Sequence, residues 1–186
     1  MFNDRYGLTQ AVIEGRKTMT RRIVPWDLTE QWMEFVSDAP SVGGVYVHES
    51  EKDFYEREAP RYKVGEIVAV AQNYSSFYNI LDNTRPIPEG AGWDNKMFVR
   101  ADLMPHQIRI TGIKCERLQD ISDADCLKEG IRQAYAESIL GMYGYIDHKG
   151  TGLWFNTPRE AFAALIDKVS GRGTWASNPW VVAYEF

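Results

Sequence analysis

The chain has 186 residues, of which 44 % are hydrophobic and 25 % charged, a composition typical of one folded domain and not of a disordered chain. No apolar run approaches the roughly 20 residues of a membrane helix, and the first ten residues lack the basic and apolar regions of a signal peptide. Two cysteines are too few for a disulfide scaffold. We therefore expect a cytoplasmic protein with a single domain over residues 1–186 that does not act at a membrane.

The charge is unevenly distributed. The net charge is −5, which speaks against a protein that coats long duplex DNA. Residues 1–24 nevertheless carry five basic and two acidic side chains, whereas the remainder carries 16 basic and 24 acidic ones. A local positive patch on an acidic body suits a small or short anionic ligand.

The first half of the chain predicts one helix followed by strands. Apolar residues with helical spacing between Gly7 and Gly15 predict a short helix. Residues 26–62 mix aromatic residues, glycines and charges, and we interpret them as a variable excursion with at most a strand around 45–48. β-Branched or alternating residues then predict strands at 65–71, 97–100 and 107–118, with a loop at 83–92.

The second half predicts two capped helices and a terminal strand. Ser122 should cap a helix that runs from Asp123 to about Lys128. The sequence at 157–160, Thr-Pro-Arg-Glu, has the residues of a capping box with proline at the first helical position. Residues 179–186 should form a strand. These elements, without a regular β-α-β alternation, predict an α+β domain with a mixed or barrel-like sheet.

Residues 15–22, GRKTMTRR, are called the basic segment here because they hold four cations and two hydroxyls. One interpretation is a solvated turn whose charges pair with the acidic remainder. The other is an anion site in which arginine forks bind phosphate or carboxylate. Burial and neighbouring cations should lower the pKa of Lys17, which would make its amine available as a base. Thr20 would then be an activated hydroxyl nucleophile.

Four segments of the chain resemble the ASCH-domain family, in the prophage and bacterial branch with the GRKTxTRR signature. They are GRKTMTRR, VGEIVAVAQNY, MPHQIRITGIKCERLQDISDADCLKEGI and GTWASNPWVVAYEF. The resemblance covers most of the chain in the family's order, and residues 26–62 and 131–153 are the variable excursions. It implies a PUA-like fold, a small mixed β-barrel with flanking helices and a cleft for RNA or nucleotide-like ligands.

One branch of this family consists of amidohydrolases that remove the acetyl group of N4-acetylcytidine with a lysine, a threonine and a glutamate. The resemblance assigns the first two roles to Lys17 and Thr20. The glutamate position, at the end of a barrel strand expected to lie beside Lys17, holds Gln72. A glutamine donates and accepts hydrogen bonds but carries no negative charge. We therefore expect little turnover, and a gain of activity in Gln72→Glu.

Two further ligand contacts are predicted near the C-terminus. Trp180 follows Pro179 and could stack a nucleobase, although a tryptophan beside a terminal strand is more often a core residue. Asn178 precedes the proline, which favours an extended backbone and an amide that faces the ligand. The three histidines are widely separated and have no metal-ligand spacing, so neither a metal nor another cofactor is expected.

Three functions follow for the basic segment, in which Arg16, Thr18, Arg21 and Arg22 are the predicted ligand contacts. The first is binding of a nucleoside, a nucleotide or RNA. The second is hydrolysis of an acylated nucleobase, and the third is a phage-related accessory role in which the segment docks on an acidic partner protein. The surroundings of Lys17 discriminate between them: a carboxylate in an open pocket favours the enzyme, whereas a flat exposed surface favours docking.

Overall fold

A computed structural model describes residues 2–42, 45–46, 48–78 and 91–186. Most of the loop predicted at 83–92, and part of the strand predicted at 45–48, lie outside these residues. The chain folds as an α+β structure with its helices on small antiparallel sheets. None of the helices in the described part of the chain is both long and apolar enough to cross a bilayer.

Helices and strands alternate irregularly along the chain. The helices are α1 (Leu8–Ile13), α2 (Trp26–Ser37), α3 (Glu51–Glu58), α4 (Asp123–Lys128), α5 (Pro158–Ser170) and α6 (Thr174–Ser177). The strands are β1 (Met19–Ile23), β2 (Ser41–Val42), β3 (Val45–Tyr46), β4 (Ile67–Ala69), β5 (Gln107–Arg109), β6 (Gly112–Arg117), β7 (Arg132–Gln133), β8 (Tyr143–Ile146), β9 (Gly152–Phe155) and β10 (Trp180–Glu185).

The C-terminal strand β10 lies at the centre of the fold, between β1 and β6. Because successive side chains of a strand point to opposite faces, β10 contributes to two hydrophobic cores. Val181 belongs to the core beneath α4 and α5, whereas Val182 and Tyr184 belong to the core beneath α3. The predicted terminal strand is thus confirmed.

A bend after β5 joins two sheets. The backbone N–H of Ile110 donates to the carbonyl of Glu66 next to β4 (2.9 Å), whereas that of Thr111 donates to the carbonyl of Glu185 in β10 (2.7 Å). Two consecutive residues therefore connect the β4–β5 pair to the β6–β10–β1 sheet. All strand pairs are antiparallel in the described part of the chain, where the sequence predicts a mixed sheet, and these strands do not close into a barrel.

The two predicted helix caps are present. The hydroxyl of Ser122 accepts from the N–H of Asp125 at the start of α4, and that of Thr157 accepts from the N–H of Glu160 at the start of α5, both at 3.1 Å. The carboxylate of Glu160 accepts from the N–H of Asn156 and not from that of the cap residue. The predicted positions of α1, α4 and α5 are confirmed.

Three predictions of local structure are wrong. The excursion over 26–62 contains the helices α2 and α3. The strand predicted as buried at 65–71 is reduced to β4, in which Ile67 is 52 % exposed. Residues 97–98 form a turn and residues 99–100 have no regular secondary structure, so the predicted strand is absent, and Phe98 has a φ of 65°, a value that strand residues do not adopt.

Candidate functional site

The basic segment leaves α1 in a tight turn and becomes β1. Gly15 has a φ of 71°, and the N–H groups of Arg16 and Lys17 both donate to the carbonyl of Ala11 (2.8 and 2.9 Å). Successive side chains of β1 point to opposite faces. Met19 and Arg21 are buried on one face, whereas Thr20 is half-buried and Arg22 is exposed on the other.

Lys17 is buried, with 2 % of its surface exposed. Its Nζ donates to the carbonyl of Met19 (2.7 Å), to the carbonyl of Glu129 (2.9 Å) and to the carboxylate Oε2 of Glu129 (2.5 Å). Three acceptors match the three N–H donors of an ammonium. Burial lowers the pKa of Lys17, the carboxylate of Glu129 opposes the shift, and the arginine charges add to it. The predicted direction of the shift is confirmed, with burial as its main cause.

Arg21 is surrounded by three carboxylates. Its guanidinium donates to Glu116 (2.6 Å), to Asp125 (3.2 Å) and to Glu129 (3.1 Å). Burial alone would lower the pKa of Arg21, but the charges and hydrogen bonds of Glu129 and Glu116 outweigh this effect, so the pKa of Arg21 is raised. Two of the four cations of the basic segment are therefore neutralised inside the protein, and the guanidinium of Arg21 is bonded to three carboxylates.

A cleft of about 470 Å³, called the main cleft here, opens beside these ion pairs. The carboxylate of Glu129 and the side chains of Lys17 and Thr20 line its polar side, and apolar residues of α5 line the other. Lys17 therefore has both features that favour an enzyme, a carboxylate and an open pocket. It does not lie on a flat surface.

A second cavity of about 210 Å³, called the apolar pocket here, adjoins the main cleft. It lies between the strand pairs β4–β5 and β1–β10, and Tyr62, Ile110 and Tyr184 are among its walls. Both cavities are lined by Thr20 and Arg22. One face of β1 thus forms the junction of the two cavities.

Thr20 and Arg22 have contrasting surroundings at this junction. The hydroxyl of Thr20 is half-buried and has no hydrogen-bond partner among the described residues. Arg22 is exposed, and its guanidinium carbon lies 6.0 Å from the ring centre of Phe2. The junction therefore offers a hydroxyl that can donate and accept, beside a positive charge.

Gln72 is buried beyond the end of β4 and lines neither cavity. Its Oε1 lies 2.8 Å from Nδ1 of His106, and its backbone N–H donates to the sulfur of Met104. The hydrogen bonds of Lys17 all go to other groups. The carboxylate that bonds Lys17 belongs to Glu129, at the end of α4.

The other predicted contacts lie away from the junction. The Nε of Arg16 donates to Glu14 (2.7 Å), and the backbone N–H of Thr18 donates to the carbonyl of Lys128 (2.9 Å). Asn178 is left-handed, with a φ of 46°, and not extended as predicted, because it ends α6 with its backbone N–H donating to the carbonyl of Trp175. Its Oδ1 accepts from the N–H of Gln119, just after β6. Trp180 packs against Tyr55 in the second core.

Glu129 is the residue that sequence reasoning missed. It is four residues after Asp125, so that both carboxylates lie on one face of the turn that ends α4. Both face Arg21. The i, i+4 spacing of acidic residues was the available signal, but only the fold shows that this face meets the basic segment.

Comparisons of the chain with protein-family models, with curated proteins and with solved structures find no match.

Proposed function

We propose that the protein binds a nucleoside, a nucleotide or a short RNA fragment at the junction of the main cleft and the apolar pocket, as an ASCH-type domain of PUA-like architecture. The observation that carries this proposal is the position of Thr20 and Arg22, which line both cavities. A ligand at the junction would meet an apolar enclosure on one side and a polar, open cleft on the other.

Each part of such a ligand has a matching group. The walls formed by Tyr62, Ile110 and Tyr184 suit the faces of a flat nucleobase. The Thr20 hydroxyl can donate or accept at a base edge or a ribose hydroxyl. Arg22 supplies positive charge for a phosphate, which a guanidinium binds in two-pronged geometry.

Docking on an acidic protein receives less support. The interior carboxylates already neutralise Lys17 and Arg21, and Glu14 pairs with Arg16. The remaining cation of the basic segment, Arg22, lines two cavities and does not lie on a flat face.

Calorimetric titration with cytidine, cytidine monophosphate and a short single-stranded RNA tests the binding proposal. Arg22→Gln should weaken binding of the monophosphate about tenfold and reduce its salt dependence, while cytidine binding changes little. Thr20→Val should weaken both. Arg172→Gln, an exposed arginine on the turn after α5, is the matched control. Equal losses in Arg22→Gln and Arg172→Gln would show that general charge, and not this junction, binds the ligand.

A second candidate function is hydrolysis of an acylated nucleobase, and the Lys17–Glu129 pair favours it because both side chains line the cleft with Thr20. In this reaction Lys17 passes a proton to Glu129 and the resulting amine takes the proton of the Thr20 hydroxyl. The oxygen attacks the acyl carbon, the C–N bond breaks, and the amine leaves with a proton from Lys17. Water then releases acetate from the threonine ester.

Release of acetate from N4-acetylcytidine measures this second function directly. Turnover by the wild type that Thr20→Val abolishes, at N4-acetylcytidine concentrations that saturate the variant, would establish the enzyme. Binding of N4-acetylcytidine without acetate release would leave the binding function alone.

A further inference from the structure

A third cavity, of about 540 Å³, lies on the β7–β8–β9 sheet and shares no lining residue with the main cleft or the apolar pocket. We call it the arginine groove because Arg16 and Arg132 line it. Its other walls are mostly apolar and include Ile131, Ala134 and Ile139. Its volume lies within the roughly 300–1,000 Å³ of small-molecule pockets.

The strand register places a cation and an aromatic ring on opposite sides of this groove. Arg132 of β7 is the direct partner of Gly144 of β8, and Gly144 is the direct partner of Trp154 of β9. Directly opposed residues of antiparallel strands share one face. Arg132 and Trp154 therefore lie on the same face, two strand spacings or about 10 Å apart, and the residue between them has no side chain.

Two glycines allow the Trp154 indole to rest on the sheet. A Cβ atom at Gly152 would lie 2.5 Å from Nε1 of the indole, and the atoms nearest to it all belong to Trp154. A Cβ atom at Gly144 would lie 2.9 Å from Cε3 of the indole but would meet the backbone carbonyl of Leu153 first. A side chain at Gly152 would therefore displace the ring, whereas one at Gly144 would also displace the backbone of β9. The glycines thus preserve an aromatic platform, and Trp154 lines the groove from it.

The positive charge of the groove exceeds the negative charge that pairs with it. Glu14 pairs with Arg16. Arg132 is half-buried and has no hydrogen bond or ion pair with any described residue. Burial lowers the pKa of Arg132, the charge of Arg16 adds to the effect, and the charge of Glu14 opposes it. A guanidinium stays charged in a protein, so a partly buried, unpaired one favours an anion.

We infer that the arginine groove binds a small organic anion whose flat apolar body lies on Trp154 and whose carboxylate or phosphate pairs with Arg132 and Arg16. The platform supplies stacking area, the apolar walls exclude water from the body of the ligand, and the unpaired guanidinium fixes its charged end. The inference is independent of the function proposed for the main cleft.

The test uses 2-naphthoate as the probe and neutral 2-naphthamide, of the same shape, as its control. Binding is followed by NMR through the indole N–H signals of the six tryptophans, with Trp154→Phe identifying the signal of Trp154. We expect 2-naphthoate to shift that signal more than the other five, and to bind at least tenfold more tightly than 2-naphthamide. Shifts centred on another tryptophan, or equal affinities for the two probes, would overturn the inference without any further variant.

Variants then test separately how the charge of Arg132 and the aromatic platform of Trp154 contribute to binding. Arg132→Gln should weaken 2-naphthoate binding at least tenfold and leave 2-naphthamide binding unchanged. Gly152→Ala, which displaces the indole, should weaken both. Arg172→Gln, which removes an exposed arginine outside the groove, should change neither. An equal loss in Arg132→Gln and Arg172→Gln would overturn the inference. Phosphate-bearing probes such as 2-naphthyl phosphate distinguish the two kinds of anion.

Discussion

The ammonium of Lys17 lies 2.5 Å from the carboxylate of Glu129, although the two residues are 112 positions apart in the sequence. The other carboxylate oxygen of Glu129 accepts from Arg21 at 3.1 Å. One carboxylate thus holds two buried cations, on β1 and on the turn before it, and fixes both against the end of α4. Thr20 lies between Lys17 and Arg21 in the sequence, so the contacts of Glu129 with these two cations also fix the backbone that carries Thr20 in the main cleft.

Glu129→Gln should destabilise the protein by about 3 kcal/mol, because it leaves two buried cations without their shared counter-charge. Urea unfolding measures the change in the free energy of unfolding. Glu137→Gln, at an exposed position, is the control and should change the free energy by less than about 0.5 kcal/mol. A loss below about 1 kcal/mol in Glu129→Gln would mean that the Lys17–Glu129 contact adds little to the folded state.

The stability should fall in acid partly through Asp125. Burial would raise the pKa of Asp125, but Lys114 and Arg21 outweigh it and lower that pKa overall. A carboxyl with a lowered pKa stabilises the folded state above its unfolded pKa, about 3.9, and loses that effect as the pH falls through its folded pKa. Asp125→Asn should therefore be less stable than the wild type at pH 7, with a smaller difference at pH 3.

Unfolding curves at pH 7, 5 and 3 check this expectation. Asp120→Asn, at an exposed position before α4, should differ from the wild type by the same small amount at each pH. A difference for Asp125→Asn that stays constant from pH 7 to pH 3 would contradict the role of its charge.

Elements with local signals could be predicted from the sequence, and elements without them could not. The caps Ser122 and Thr157 mark the starts of α4 and α5, since a side-chain cap is a contact within four residues. Helix α2 begins after Pro25 with no side-chain cap and has no buried residue, so neither start signal nor core pattern marked it. Helix α3 does have a cap, Ser50 with Asp53, which the mixed composition of its surroundings obscured.

The candidate site, too, could be predicted from the sequence only in part. The cations of the basic segment and the hydroxyl of Thr20 are visible in eight residues of sequence. The partners that decide their roles are not, because Glu116, Asp125 and Glu129 reach Arg21 from 95 to 108 residues away. Long-range contacts of this kind depend on the pairing of β10 with β1 and with β6, which local patterns do not specify.

The two cysteines should be unreactive in the folded protein. Cys115 and Cys126 are 2 % and 0 % exposed, and burial raises their pKa to about 11 and about 12 respectively. Thiol titration with Ellman's reagent at pH 8 should detect neither of them until the protein is unfolded in guanidinium, and both afterwards. Ser138→Cys, at an exposed position, should add one fast-reacting thiol. Rapid reaction of a native thiol would show that the core around it opens readily.

Gln72→Glu should change neither nucleotide affinity nor the release of acetate from N4-acetylcytidine, in contrast to what the sequence resemblance alone predicts. Lys17 already has a carboxylate in Glu129, and the side chain of Gln72 is bonded to His106 outside both cavities. Calorimetry and the acetate assay measure the two quantities on the wild type and on this variant. Thr20→Val should weaken nucleotide binding in the same experiments, which shows that the assays respond to the cleft. A higher rate or a tighter affinity in Gln72→Glu would mean that residue 72 reaches the ligand and that Glu129 is not the carboxylate of the site.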